Sequence, residues 1–422
     1  MALSTAEPLT TSTELLLSHT DCQRILAKAC GSETNLQLKE FTLKPAAYTS
    51  GFLGEYYHLV VHYSVAVPDE NKNLADRRQL HELHAFVKGI PQANEEPEKE
   101  AIFRKEAALY GTLLERLRPY ATVAWSPRCF FARNDLIVLE QLDPLNYKLC
   151  PESNEYLNDH YLCRVLRALA AQHAASLALE VKEGICIGDI YPQLQQEITV
   201  SPQVPWYTVG LRAILAVVKS QLKSQTPALR AAVESRLPDV VKSVFEMTNR
   251  WAKYRNVLCH RDIWRGNILY SETTSGTSCA NNSSVILVDY QTARYCPPAI
   301  DVVFTLFMNL DKATRKAKEL EYLCYYYDFL QRDCGANGFA AADQVAYSEL
   351  LASYQEFQLF GLLYRAIATT ILKVPRECVT NEYVHVDRTA MVFKLMSELP
   401  ELRICLEESI QEMIDLIIEQ KV

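Results

Sequence analysis

Apolar and polar residues alternate over 38–44, 55–67 and 82–88, a period-two pattern that predicts strands with one buried face. Elsewhere the apolar spacing is three and four. It predicts an amphipathic helix over 12–30 and a longer one over 99–117, the second following the acidic, proline-bearing connector PQANEEPEKE. A further strand pair ends at Leu142. Beyond it helical periodicity dominates, from 159–180 to a last helix over 399–419, broken by one strand-rich island at 257–290. In that island the Ser-, Thr-, Asn- and Gly-rich stretch 271–284 predicts a loop joining two apolar strands, GNILY and VILVDY. No internal repeat is present.

These elements predict an α+β chain of two lobes. Residues 1–140 form a small lobe, an antiparallel sheet with helices, and 141–422 a larger, mainly helical one.

Composition narrows the partners. At 422 residues, with 49% hydrophobic and 22% charged residues, each lobe can bury a core of its own. A net charge of −8 without a basic stripe argues against a nucleic-acid surface, which needs clustered Lys and Arg. No positive charge precedes the short apolar stretch Leu15 to Leu17, and no segment reaches the length of a membrane helix. Thirteen cysteines are scattered without CxxC pairs, several in apolar runs (Cys163, Cys324, Cys405), and read as reduced thiols of a cytoplasmic protein. The sequons at Asn281 and Asn282 are then inert, and a monomer or weak dimer is expected.

The island also carries chemistry. CHRDIWRGNILY places Asn267 five positions after Asp262, and VILVDYQ ends an apolar strand at Asp289. Phosphoryl transfer needs a carboxylate to orient the attacking hydroxyl and accept its proton, and hard oxygen ligands for Mg²⁺. Asp262 suits the first role, Asn267 and Asp289 the second. HRD, four residues and Asn is the catalytic-loop spacing of kinases, and DYQ stands where those enzymes have DFG. His260 is expected to brace the loop backbone.

Kinase chemistry also requires a strand lysine and a helix glutamate. HAFVKG offers Lys88 on the face of His84 and Phe86, and Glu106 interrupts the apolar stripe Phe103, Tyr110, Leu113 and Leu117. A carboxylate on a buried face needs a cation, so Lys88 and Glu106 are expected to pair and to hold the phosphates of ATP. Gly51 and Gly54, before a strand, are candidates for a phosphate-covering loop, although G-x-G-x-x-G is missing. No P-loop motif occurs. LIVLEQLDP suits a hinge in which main-chain groups of Glu140 and Leu142 bind adenine.

Only twelve positions separate Asp289 from Asp301, and A-P-E is absent, so the expected acceptor is a small molecule docked against the helices after 300. Asp301 is expected to cap a helix or brace the catalytic loop. Tyr322, Tyr326 and Phe329, on one helical face, are assigned to the core.

H-x-D-x-W-x-x-N followed by D-[FY]-Q, with F-V-K and V-L-E strands, resembles the ecdysteroid kinase-like (CHK kinase-like) family, itself similar to choline kinases and aminoglycoside phosphotransferases. The matching positions are Lys88, Glu106, Glu140, His260, Asp262, Trp264, Asn267, Asp289, Gln291 and Asp301, with LAAQHAAS at 169–176 resembling the helix before the catalytic loop. The resemblance implies a protein kinase-like fold and Mg²⁺- and ATP-dependent phosphorylation of a hydroxyl on a lipophilic molecule such as an ecdysteroid or foreign compound. Arg261 stands where the family usually has glycine, and is expected to narrow the nucleotide site; the 271–284 loop is longer than expected. The alternatives are a catalytically dead kinase fold used for binding, and a choline- or ethanolamine-type kinase.

Overall fold

The computed structural model describes residues 16–31, 35–46, 54–66, 78–90, 97–150, 156–271 and 285–419. The chain forms two compact units, one within Met1–Arg118, Ser126–Lys148 and Tyr270–Thr273, the other within Pro119–Trp125, Leu149–Leu269 and Thr274–Val422.

The first unit is built on an antiparallel sheet. Strands β1 (Leu36–Pro45), β2 (Glu55–Ala66), β3 (Arg78–Gly89), β4 (Cys129–Arg133) and β5 (Leu136–Glu140) lie in the order β1-β2-β3-β5-β4. Alternation decides its faces. Leu59 and Val61 of β2, Ala85 and Val87 of β3 and Val138 of β5 are fully buried in a core completed by Cys22, Ile25 and Leu26 of the helix His19–Cys30. On the opposite face of β3 lie Phe86 and Lys88.

The N-terminal helix starts at His19, later than the apolar periodicity predicts. Ser18 and Asp21 form a capping box there, and Leu16 to Ser18 lie outside the helix; residues 12–15 are outside the described residues. The predicted 99–117 helix is continuous from Pro97 to Leu117 but contains a π-helical turn at Leu109–Leu113. Phe103, Glu106, Tyr110, Leu113 and Leu117 all remain buried.

The second unit is mostly helical. Its buried axis is the helix Asp159–Glu183, in which every residue from Val165 to Glu180 is buried. Tyr322, Tyr326 and Phe329 are buried in the core, as their spacing suggests, on the helix Lys312–Ala336. Among the cysteines singled out, Cys405 is buried, Cys163 half-buried and Cys324 exposed; the described cysteines are free thiols. Among the described residues no helix is long and apolar enough to cross a membrane.

Candidate active site

Lys88 and Glu106 meet within the first unit. Lys88 Nζ lies 2.6 Å from Glu106 Oε2, with the residues 5% and 1% exposed, so each ion neutralises the other where water cannot. Gly54 packs on the lysine stem: a Cβ there would stand 3.2 Å from its Cγ and 3.3 Å from its Cε. Gly51 lies outside the described residues.

At the hinge candidate, Glu140 ends β5 and Leu142 leads into the turn Asp143–Leu145. Two of their main-chain groups are engaged. Glu140 N–H donates to Arg128 O at 2.9 Å, and Leu142 O accepts from Leu145 and Tyr147 N–H at 3.0 and 3.2 Å. Those two groups are not open to an adenine edge.

In the second unit, Asp262 follows the short strand Val257–Cys259. Asn267 Nδ2 donates to the Asp262 main-chain O at 3.0 Å and to its Oδ2 at 2.9 Å. That leaves Asn267 Oδ1 as the atom able to ligate a cation. Asp289 ends the strand Val285–Leu287 and its short extension, with φ +71 in the left-handed region. Asn267 O accepts from Val288 N–H at 3.0 Å, which ties the two ligand candidates together by main chain.

Electrostatics fit this placement. Burial, and next to it the charge of Asp289, push the Asp262 carboxyl up from 3.8 to about 8, against the hydrogen bonds it accepts from Asn267 and Trp264. The Asp289 carboxylate and the Asn267 carboxamide oxygen, with the negative charge of Asp262 nearby, are hard oxygen donors of the kind a divalent cation takes. Gln291, two residues past Asp289, has a buried Oε1 with no hydrogen-bond partner. The residues present therefore fit Mg²⁺.

The loop is braced from behind. His260 Nε2 lies 3.0 Å from Val288 O, and Asp262 N–H donates to its Nδ1 at 3.2 Å; burial holds the imidazole below its ordinary 6.5, neutral as a backbone brace should be. Asp301 does not cap its helix, which begins at Ala299 after Pro298. Its carboxylate instead accepts His260 N–H at 2.6 Å and Arg261 N–H at 2.7 Å. His173, Cys259 and Asp301 place three potential ligand atoms within 4.8 Å, but the Asp301 oxygens are engaged by the loop.

Gly266 lies under Trp264, whose indole a Cβ would strike. Arg261, where a narrowing of the nucleotide site is expected, is also at positive φ (+66). Its guanidinium is buried, 2.5 Å from Glu197 Oε2 and 5.7 Å from the Phe360 ring. Glu197 and Arg294 were not foreseeable: both sit outside periodic elements, and their partners are far away in sequence.

A family model, the ecdysteroid kinase-like family, matches residues 55–338, more than half of the chain. The chain belongs to the ecdysteroid kinase-like family. The matched stretch of this family member contains Lys88, Glu106, Asp262, Asn267 and Asp289. No curated protein sequence matches it. Among solved structures it is similar to an aminoglycoside phosphotransferase, APH(2'')-Ib with ADP bound, at 12% identity over 95% of this chain and 99% of that one, with a TM-score of 0.39.

Proposed function

We propose that this ecdysteroid kinase-like protein transfers the terminal phosphoryl group of ATP to a hydroxyl of a small, neutral, lipophilic molecule, a steroid of the ecdysteroid kind or a foreign compound. The observation that carries the proposal is the Asp262 carboxylate held by Asn267 with the charge of Asp289 acting on it. Asp262 accepts the acceptor's hydroxyl proton as that oxygen forms its bond to phosphorus and the bond to the ADP oxygen breaks. Asn267 and Asp289 would hold Mg²⁺, which when bound offsets phosphate charge. Lys88, fixed by Glu106, holds nucleotide phosphates.

Two features support a small, lipophilic acceptor. From Thr292 to Ile300 every residue is buried, so the stretch between Asp289 and Asp301 leaves no extended platform for a peptide. Tyr364, a hydroxyl pushed well up by burial and then by the charge of Asp262, belongs to an aromatic layer with Trp206 at 6.0 Å, Phe304 at 4.7 Å and Phe360 at 5.9 Å.

The test is to incubate the protein with ATP, Mg²⁺ and a panel of sterols, hydroxylated xenobiotics and choline, and to detect phosphorylated product by mass spectrometry. Product from neutral lipophilic alcohols, absent with Asp262→Asn, is expected. Turnover of choline alone would overturn the acceptor class. No turnover, and no stabilisation by ATP and Mg²⁺ where ligand at a hundred times Kd should add about 2.7 kcal/mol, would leave a binding protein.

A further inference from the structure

Among the described residues, Glu197 is a heavily engaged carboxylate outside the candidate catalytic set. Its Oε1 accepts from Thr199 N–H at 2.9 Å, Thr199 Oγ1 at 2.8 Å and Val200 N–H at 2.9 Å. Its Oε2 accepts from Thr248 Oγ1 at 2.8 Å and from Arg261 Nη1 at 2.5 Å, and Arg294 Nη1 stands 3.8 Å away. The two arginines are each 1% exposed, so this one acid is the anion that faces two guanidinium groups water does not reach.

The arginines sit at telling positions. Arg261 precedes Asp262 directly, and Arg294 follows Asp289 by five residues on the strand Arg294–Cys296, which pairs with Val257–Cys259 through Arg294 opposite Cys259. Glu197 thus grips the segment entering the base from one side and the segment leaving the second metal-ligand candidate from the other. Arg261 also holds φ +66, a conformation glycine adopts freely and arginine does not. Its side chain is therefore retained against a backbone preference, and the structure shows what retains it: the Glu197 carboxylate and the Phe360 ring.

We propose that Glu197 is a positioning residue of the transferase, setting the register of the Asp262 and Asp289 segments through Arg261 and Arg294. It touches no substrate. It acts by being the shared anion of two segments whose main chains are already hydrogen-bonded to each other, so loss of its charge leaves two buried cations to repel and displace them. This role rests on the phosphotransferase proposal for its kinetic consequence and not for its structural one.

The experiment compares wild type, Glu197→Gln, Arg261→Gly and the double variant. With Glu197→Gln, kcat is expected to fall by about a hundredfold, as for a displacement of order an ångström, while KM for ATP stays within about threefold. Amide exchange over 259–268 and 285–294 should quicken in a protein that still unfolds cooperatively. Adding Arg261→Gly to Glu197→Gln should return about tenfold or more in kcat, because glycine accepts the positive φ and one orphaned cation is gone. A Glu197→Gln protein that only melts earlier, with kcat per folded molecule and exchange in both segments unchanged, would show Glu197 to be a packing residue and overturn the proposal. So would a double variant no better than the single one. If the wild type turns over no acceptor, the transferase proposal fails separately, and the exchange data alone decide the role of Glu197.

Discussion

The Asn267 carboxamide donates to Asp262 twice, at 3.0 Å to its main-chain oxygen and at 2.9 Å to its carboxylate, so one side chain both shapes the loop and aims the proposed base. The consequence is a division of labour within one residue. Nδ2 is committed to Asp262, which leaves Oδ1 as the atom that can ligate a cation.

Replacing Asp289 by Asn should separate charge from fold. The φ of +71 is one asparagine tolerates, so the variant is expected to fold with a melting temperature close to wild type. Stabilisation of the protein by ATP with Mg²⁺, and any phosphoryl transfer, should be lost. Isothermal titration with and without Mg²⁺ checks this, and unchanged metal-dependent binding would refute the ligand role.

The pH dependence of stability has a definite sign. The folded Asp262 carboxyl is raised from 3.8 to about 8, so ionising it opposes folding; the penalty begins as pH climbs past 3.8 and is complete above about 8. Without metal, Asp262→Asn should melt higher than wild type at about pH 9 and nearly the same at about pH 4. Calorimetry at both pH values tests it. A variant equally displaced at both would show that the carboxylate is not strained.

Lys88 and Glu106 offer a cycle that distinguishes packing from chemistry. Lys88→Met strands a buried carboxylate and should cost about 3–5 kcal/mol in urea unfolding. The double variant Lys88→Met with Glu106→Leu should recover most of that stability while transfer activity stays absent. Recovery of both would mean the pair is only structural.

Gly266→Ala would force its new methyl against the Trp264 indole. A destabilisation of about 1–3 kcal/mol is expected, with lowered kcat because Trp264 donates to Asp262. A neutral effect in both unfolding and turnover would show that the indole is free to move.

Much of this was legible in the residues because it rests on local rules. Strict alternation put Lys88 opposite the core face of β3, and an acid on an otherwise apolar helical stripe demanded a cation, which is how Glu106 could be matched to a strand eighteen positions away. The HRD-to-Asn spacing pointed to Asn267 beside Asp262 because it matches the catalytic-loop spacing of kinases, and the two side chains do meet. Other features obey no period. Strand Arg294–Cys296 is three residues long and fully buried, too short to show alternation. Glu197 meets Arg261 across 64 positions from a segment between helices, and only the folded chain brings them together. The start of the first helix was misplaced because capping by Ser18 outweighed apolar spacing.

The main-chain bond from Val288 N–H to Asn267 O has a practical use. Because the strands Ile268–Ser271 and Val285–Leu287 and this bond fix the backbone on either side of positions 272–284, a change in the number of residues there need not be felt at Asp289. Doubling such a connection costs only about 0.6 kcal/mol in closure entropy. An epitope or a small fluorescent reporter spliced there should leave stabilisation by ATP and any phosphoryl transfer intact, giving experimenters a handle on the protein in cells without touching either terminus.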